Sequence, residues 1–151
     1  MAAARRVAAE LAPTLAADAR IVSSPSHRAM ETAARIAHAA GIAAIAVDER
    51  WREAHFGMAE GLTFEELTRA APDLAQRLAA GETGIDWPGG ESAGALTARV
   101  AAAWRDLMAA AQDTVVVSHA GPLRIAIGLA RGVPPATIEL PPPGAVIRLR
   151  R

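Results

Sequence analysis

An α/β domain with a mainly parallel sheet is the fold this sequence predicts, and three observations carry that prediction. Short runs rich in β-branched residues recur at Ala19–Ser24 (ARIVSS), Ala43–Val47 (AAIAV) and Val115–Ser118 (VVVS). The segments between them carry helical periodicity, and glycines or prolines stand where helices should start or stop. Parallel strands need a crossover of a dozen or more residues between them, so strands alternating with helices read as a parallel sheet with helices on its faces.

Residues 2–12 form an Ala-rich amphipathic helix with Val7 and Leu11 one turn apart, and Pro13 limits it. After the strand 19–24, Pro25 opens a helix that runs to about Ala40, with Gly41 as its C-terminal cap. The strand 43–47 follows. From Asp48 to Leu62 the chain loses periodicity and gains charge, which reads as a loop. Thr63 and Glu66 make a capping box for a short helix ending before Pro72, and a second short helix spans 72–80. Gly81–Gly90 is a further loop. Ser92 caps a long helix with Leu96, Val100, Trp104 and Leu107 along one face. After the strand 115–118, a last helix covers 122–130 and stops at Gly132, and Ala145–Arg150 (AVIRLR) alternates like an edge strand.

The 151 residues balance 16 Lys and Arg against 16 Asp and Glu, and 52% of them are hydrophobic. That composition suits one globular domain, residues 1–151. No uncompensated basic stripe is present, which argues against a nucleic-acid partner or a polybasic membrane patch and for a small ligand held locally. There is no cysteine, hence no disulfide and no thiolate nucleophile or ligand. The N-terminal residues lack an apolar run long enough for a signal peptide or a membrane span, so cytoplasm is the default expectation.

In parallel α/β sheets ligands bind at the carboxyl ends of strands, where the following helix N-terminus favours an anion. Two such ends stand out, IVSSPSHR and VVVSHAGPLR. Arg28 sits in the first turn of its helix, where it is either a surface arginine or a bidentate phosphate ligand. His119 stands at the mouth of the third strand, a position that favours a functional histidine over a structural one. In the loop, Glu49 reads as a solvated charge, whereas Glu53 or Glu60 could lie against Trp51 and Phe56, where burial would raise its pKa and suit it to general-acid chemistry. His27, His38 and His55 lack comparable context. No histidine pair has metal-ligand spacing, Gly89–Gly90 is too short for a phosphate loop, and no G-x-G-x-x-G occurs, so neither metal nor cofactor is expected.

Taken in order, SSPSHRAMETA, WREAHFGMAEG, WPGGES and VVVSHAGPLR resemble the histidine phosphatase superfamily, the phosphoglycerate mutase-like family, from about Arg20 to Arg131. The resemblance implies a three-layer α/β fold and a site in which a nucleophilic histidine is transiently phosphorylated beside two arginines, a second histidine and an acidic proton donor. It assigns phosphate binding to Arg28 and His119, and proton donation to Glu53. The family's first strand ends in Arg-His-Gly, and the sequence contains no such tripeptide. The resemblance therefore implies that this central strand is lacking, and it leads to the expectation that the sequence is truncated at its N-terminus. The strand is expected between those ending at Ser24 and Ser118, so that its loss would leave two rows of backbone groups unpaired. At about 1–3 kcal/mol per buried unpaired group, the chain should be marginal.

Three functions fit. The first is a phosphomonoesterase acting through phosphohistidine on a small phosphorylated substrate, closest in its compact 63–88 region to small phosphatases of the α-ribazole phosphatase type. The others are a non-catalytic phospho-ligand binder completed by a partner strand and a mutase-type phosphotransferase. A homodimer remains open.

Overall fold

Arg20–Ser23 (β1) is the middle strand of the sheet, and its sequence explains why. Ile21, Val22 and Ser23 are all buried, so both faces of the strand are covered. The computed structural model describes residues 2–110, 112–140 and 142–149. Within them β1 pairs in parallel with Ile45–Val47 (β2), Ile21 opposite Ile45, and with Thr114–Val117 (β3), Arg20 opposite Thr114 and Ser23 opposite Val117. The order is β2-β1-β3.

Alternate side chains of a strand point to opposite faces, and the two cores follow that rule. On one side Ile21, Val115 and Val117 meet Val7 and Leu11 of the first helix (α1, Ala2–Leu11) and Ala33 and Ile36 of the second (α2, His27–Ala40). On the other side Val22 and Val116 meet Val100, Ala103 and Leu107 of the long helix (Ala93–Ala110) and Ile125 and Ala126 of the last one (Ala120–Arg131), with Trp51 enclosed among them. The result is three layers. Two short helices between them, Phe64–Ala70 (α3) and Pro72–Ala79 (α4), form a satellite cluster with Ile85 and Trp87; the long and last helices are α5 and α6.

The helix punctuation acts as the sequence predicts. Gly41 and Gly132 take the left-handed conformation at the ends of α2 and α6, with φ of 69° and 66°. Thr63 and Glu66 form the complete capping box, and Ser92 Oγ accepts from the Ala95 N–H at the start of α5. The helix α2 begins at His27 rather than at Pro25, because Ser26 adopts the extended N-cap conformation. The loop 48–62 holds two single 3₁₀ turns, at 49–51 and 57–59.

Two expectations are corrected. The gap expected between β1 and β3 is not there: the ladder is direct and is extended by the Ser24 N–H donating to the Val117 carbonyl at 2.9 Å. Among the described residues the unladdered rows of backbone groups lie on the two outer edges of the sheet, of β2 and of β3, and not in mid-sheet. Consistent with the β3 edge, every residue of β3 is half-buried while residues 21–23 of β1 are enclosed. The alternating segment 145–149 makes no ladder among the described residues, and Arg150 lies outside them. It passes beside α1 instead, where Arg6 reaches the Gly144 carbonyl and Val146 packs on the α1/α2 core. An edge strand needs a neighbour within hydrogen-bonding range, and here it has none.

Candidate active site

The carboxyl ends of β1 and β3 lie side by side because their registers match, and each feeds a helix whose N-terminus opens on the same crevice. His119 is the N-cap residue of α6, with extended backbone, and its carbonyl accepts the first helical bond from the Leu123 N–H. Its ring is turned back across the sheet toward β1 and is 7% exposed.

Three partners fix that ring. Nε2 lies 2.7 Å from Ser24 Oγ and 3.2 Å from Ser26 Oγ, and Nδ1 lies 2.9 Å from Arg28 Nη2. A guanidinium can only donate, so Nδ1 accepts, and the proton of the neutral imidazole is on Nε2. Ser24 Oγ is then an acceptor from both His119 and the Ser26 N–H. Burial, and then the nearby Arg28 charge, hold the His119 pKa below its ordinary 6.5; Glu53 opposes the shift and Arg99 adds to it.

Glu53 reaches the same place from the loop. Its Oε2 lies 3.5 Å from the Gly121 N–H in the first turn of α6, and Oε1 accepts from the Ala54 N–H at 3.0 Å. A Cβ at Gly121 would stand 2.5 Å from Glu53 Oε1, so glycine is what lets the carboxylate approach the helix end. A partial positive charge at a helix N-terminus holds a carboxylate well.

Arg28, His119 and Glu53 are thus brought to one crevice. Glu49 and Glu60 stay outside it, exposed, and Glu60 Oε1 accepts from the Phe56 N–H instead. His27, His38 and His55 are exposed, His55 with Nδ1 accepting from Gly57 N–H. No group of three or more metal-ligating side chains occurs among the described residues, and no described helix is long and apolar enough to cross a membrane. Residue-type reasoning missed Ser24, Ser26, the Gly121 amide and Arg99. The signal for Ser24 was its place as a polar residue directly after an apolar strand, where it is fully buried. Nothing in the sequence marks Arg99.

Known proteins resemble this chain in sequence and in fold. The chain is 37% identical over 115 residues to the bifunctional protein Rv2228c of Mycobacterium tuberculosis, covering 74% of itself and 31% of that protein. It is 33% identical over 107 residues to phosphoglycerate mutase-like protein 4 of Arabidopsis thaliana, covering 69% of itself and 46% of that protein. The chain therefore spans between about a third and a half of the curated relatives it matches. Among solved structures, the mycobacterial glucosyl-3-phosphoglycerate phosphatase Rv2419c superposes with a TM-score of 0.75 at 29% identity, over 89% of this chain and 68% of that one. The α/β fold is of the phosphoglycerate mutase-like kind. The family model of the histidine phosphatase superfamily, branch 1, matches residues 1–150, and the chain belongs to that superfamily.

Proposed function

We propose that these residues form the phosphate-binding and proton-donating side of a phosphomonoesterase site that works through phosphohistidine. The observation that carries the reading is the convergence, on two neighbouring strand ends, of Arg28 and His119 in mutual contact with Glu53 held at the α6 N-terminus. Arg28, His119 and the helix ends are the donors a phosphoryl group needs as charge spreads over its oxygens.

In the first step a histidine nitrogen attacks phosphorus, the P–O bond to the leaving group breaks, and the departing alkoxide takes its proton from the Glu53 carboxyl. In the second, the Glu53 carboxylate takes a proton from water as the oxygen attacks phosphorus and the N–P bond breaks. Transfer to a second hydroxyl instead of water would give mutase-type chemistry with the same parts. The nucleophile is the part not supplied by the described residues, where neither His27 nor His55 bonds to Arg28 or His119. The outer edge of β3 is the place for a strand that carries it. Among the described residues no ladder covers that edge, and β3 ends beside His119.

A second reading, a binder that does not turn its ligand over, is favoured by one observation: no other described histidine is seen bonded to Arg28 or His119. Hydrolysis of an alkyl phosphate by the protein made from its native gene, with no metal added, decides between them. Turnover with an acid-labile phosphoenzyme, slowed about 10²–10⁴-fold in Glu53→Gln, supports the phosphatase. No turnover but a Tm raised by inorganic phosphate supports the binder. If phosphate neither is released nor raises the Tm, both readings fail.

A further inference from the structure

We propose that Arg99, locked to Glu91, is the positioning residue for Glu53: its guanidinium gathers the backbone carbonyls of residues 50, 52 and 53 and so sets where the Glu53 carboxylate meets the Gly121 amide. The inference rests on the phosphomonoesterase reading of Glu53, though its geometry can be tested separately.

Arg99 stands one turn before Ala103 on α5, and its five N–H groups can all be assigned. Nε donates to Glu91 Oε1 at 2.7 Å and Nη2 to Glu91 Oε2 at 2.7 Å, a fork-to-fork pair. Nη1 donates to the carbonyls of Arg50 and Arg52, both at 2.8 Å, and the second proton of Nη2 goes to the Glu53 carbonyl at 3.1 Å. The two side chains are only 14% and 10% exposed, so the pair lies inside the loop rather than on the surface. Glu91 holds the other side of the same segment, its N–H donating to the His55 carbonyl at 2.9 Å.

The segment 50–55 has no sheet or long helix to fix its backbone; it crosses the mouth of the site as one 3₁₀ turn and extended chain. Three carbonyls aimed at one planar cation define its path. One of them belongs to Glu53 itself. The contact at stake is long, 3.5 Å from Glu53 Oε2 to the Gly121 N–H, so a small shift of that backbone would remove it. A lysine would keep the charge but not the fork, and could not reach a carboxylate and three carbonyls together.

The test compares Arg99→Lys with wild type on two substrates, an alkyl phosphate with a poor leaving group and an aryl phosphate with a good one. If Arg99 acts through Glu53, kcat for the alkyl ester falls about 10²-fold, kcat for the aryl ester changes by less than about threefold because little proton donation is needed, and the Kd for inorganic phosphate stays the same. Adding Glu53→Gln to the variant should slow it little further. Equal losses on both esters, or a matching rise in phosphate Kd, would show a general structural role and overturn the proposal. If Arg99→Lys does not fold, Glu91→Gln is read the same way. A readout free of activity separates this inference from the functional one: the Gly121 amide proton shift should follow Glu53 titration in wild type and lose that dependence in Arg99→Lys. Should wild type hydrolyse nothing, that titration alone decides. Its persistence in the variant, or its absence in wild type, overturns the proposal.

Discussion

Arg28 Nη2 and His119 Nδ1 stand 2.9 Å apart across the seam between β1 and β3, so the two groups proposed to hold a phosphate hold each other. Replacing Arg28 by Met removes the donor and the adjacent positive charge together. The His119 pKa should rise toward 6.5, followed by NMR of the ring protons, because one cause of its depression is gone. Phosphate should bind about 10- to 100-fold more weakly, the loss expected for charge-assisted hydrogen bonds. An unchanged Kd would remove Arg28 from the site.

The lowered pKa of His119 also links stability to pH. The native state binds fewer protons than the unfolded chain between the lowered value and 6.5, so the stabilisation is fully present above pH 6.5 and is lost as pH falls through the folded value. The Tm of wild type should decline on acidification below 6.5, and His119→Gln should decline less. The carboxylates of Asp48 and Glu91, held low by Arg50 and Arg99, lose their contributions only below their ordinary 3.8 and 4.5, in a separate window. Parallel Tm curves for the two proteins across pH 5–6.5 would refute the assignment.

Glycine substitutions should separate function from folding. At Gly121 the atom in the way of a new Cβ is the end of the flexible Glu53 side chain, so Gly121→Ala should keep a near-native Tm while proton donation suffers. At Gly90 the atoms in the way are the His55 carbonyl oxygen and the Gly57 backbone, which cannot swing aside. Gly90→Ala should cost about 1–3 kcal/mol by denaturant unfolding. The reverse ranking of stabilities would contradict the packing described here.

Trp51 is 1% exposed in the core beneath the site, and its carbonyl accepts from Ser118 Oγ at 2.6 Å. Trp51→Ala should cost about 3–5 kcal/mol in unfolding free energy. That is a large part of the roughly 5–15 kcal/mol a domain has. A loss under about 1 kcal/mol would mean that the core closes over the space.

Most of the architecture is legible in the sequence because it is written in local signals. The capping box at Thr63, the left-handed ends at Gly41 and Gly132, and the β-branched runs of β1 and β3 each act within a few residues. What the sequence does not disclose depends on which strands meet. The register of β1 against β3 is a tertiary choice, and the expectation of a gap between them came from resemblance rather than from any residue. The same limit hides Arg99, whose partners lie 46 to 49 residues away at the loop and 8 away at Glu91. The edge reading of 145–149 failed for a related reason: alternation describes a face, but only a neighbouring strand makes a ladder.

The direct β1–β3 pairing also separates assembly from chain order. Arg28, His119 and Glu53 are carried by segments that meet through that ladder and its two flanking cores, which draw on residues from Val7 of α1 to Val146. A strand joining at the outer edge of β3 would contact a surface the described residues already form, whatever its place in a chain. It could be supplied as a separate peptide, or fused after Arg151 in a rearranged chain, and meet the same edge.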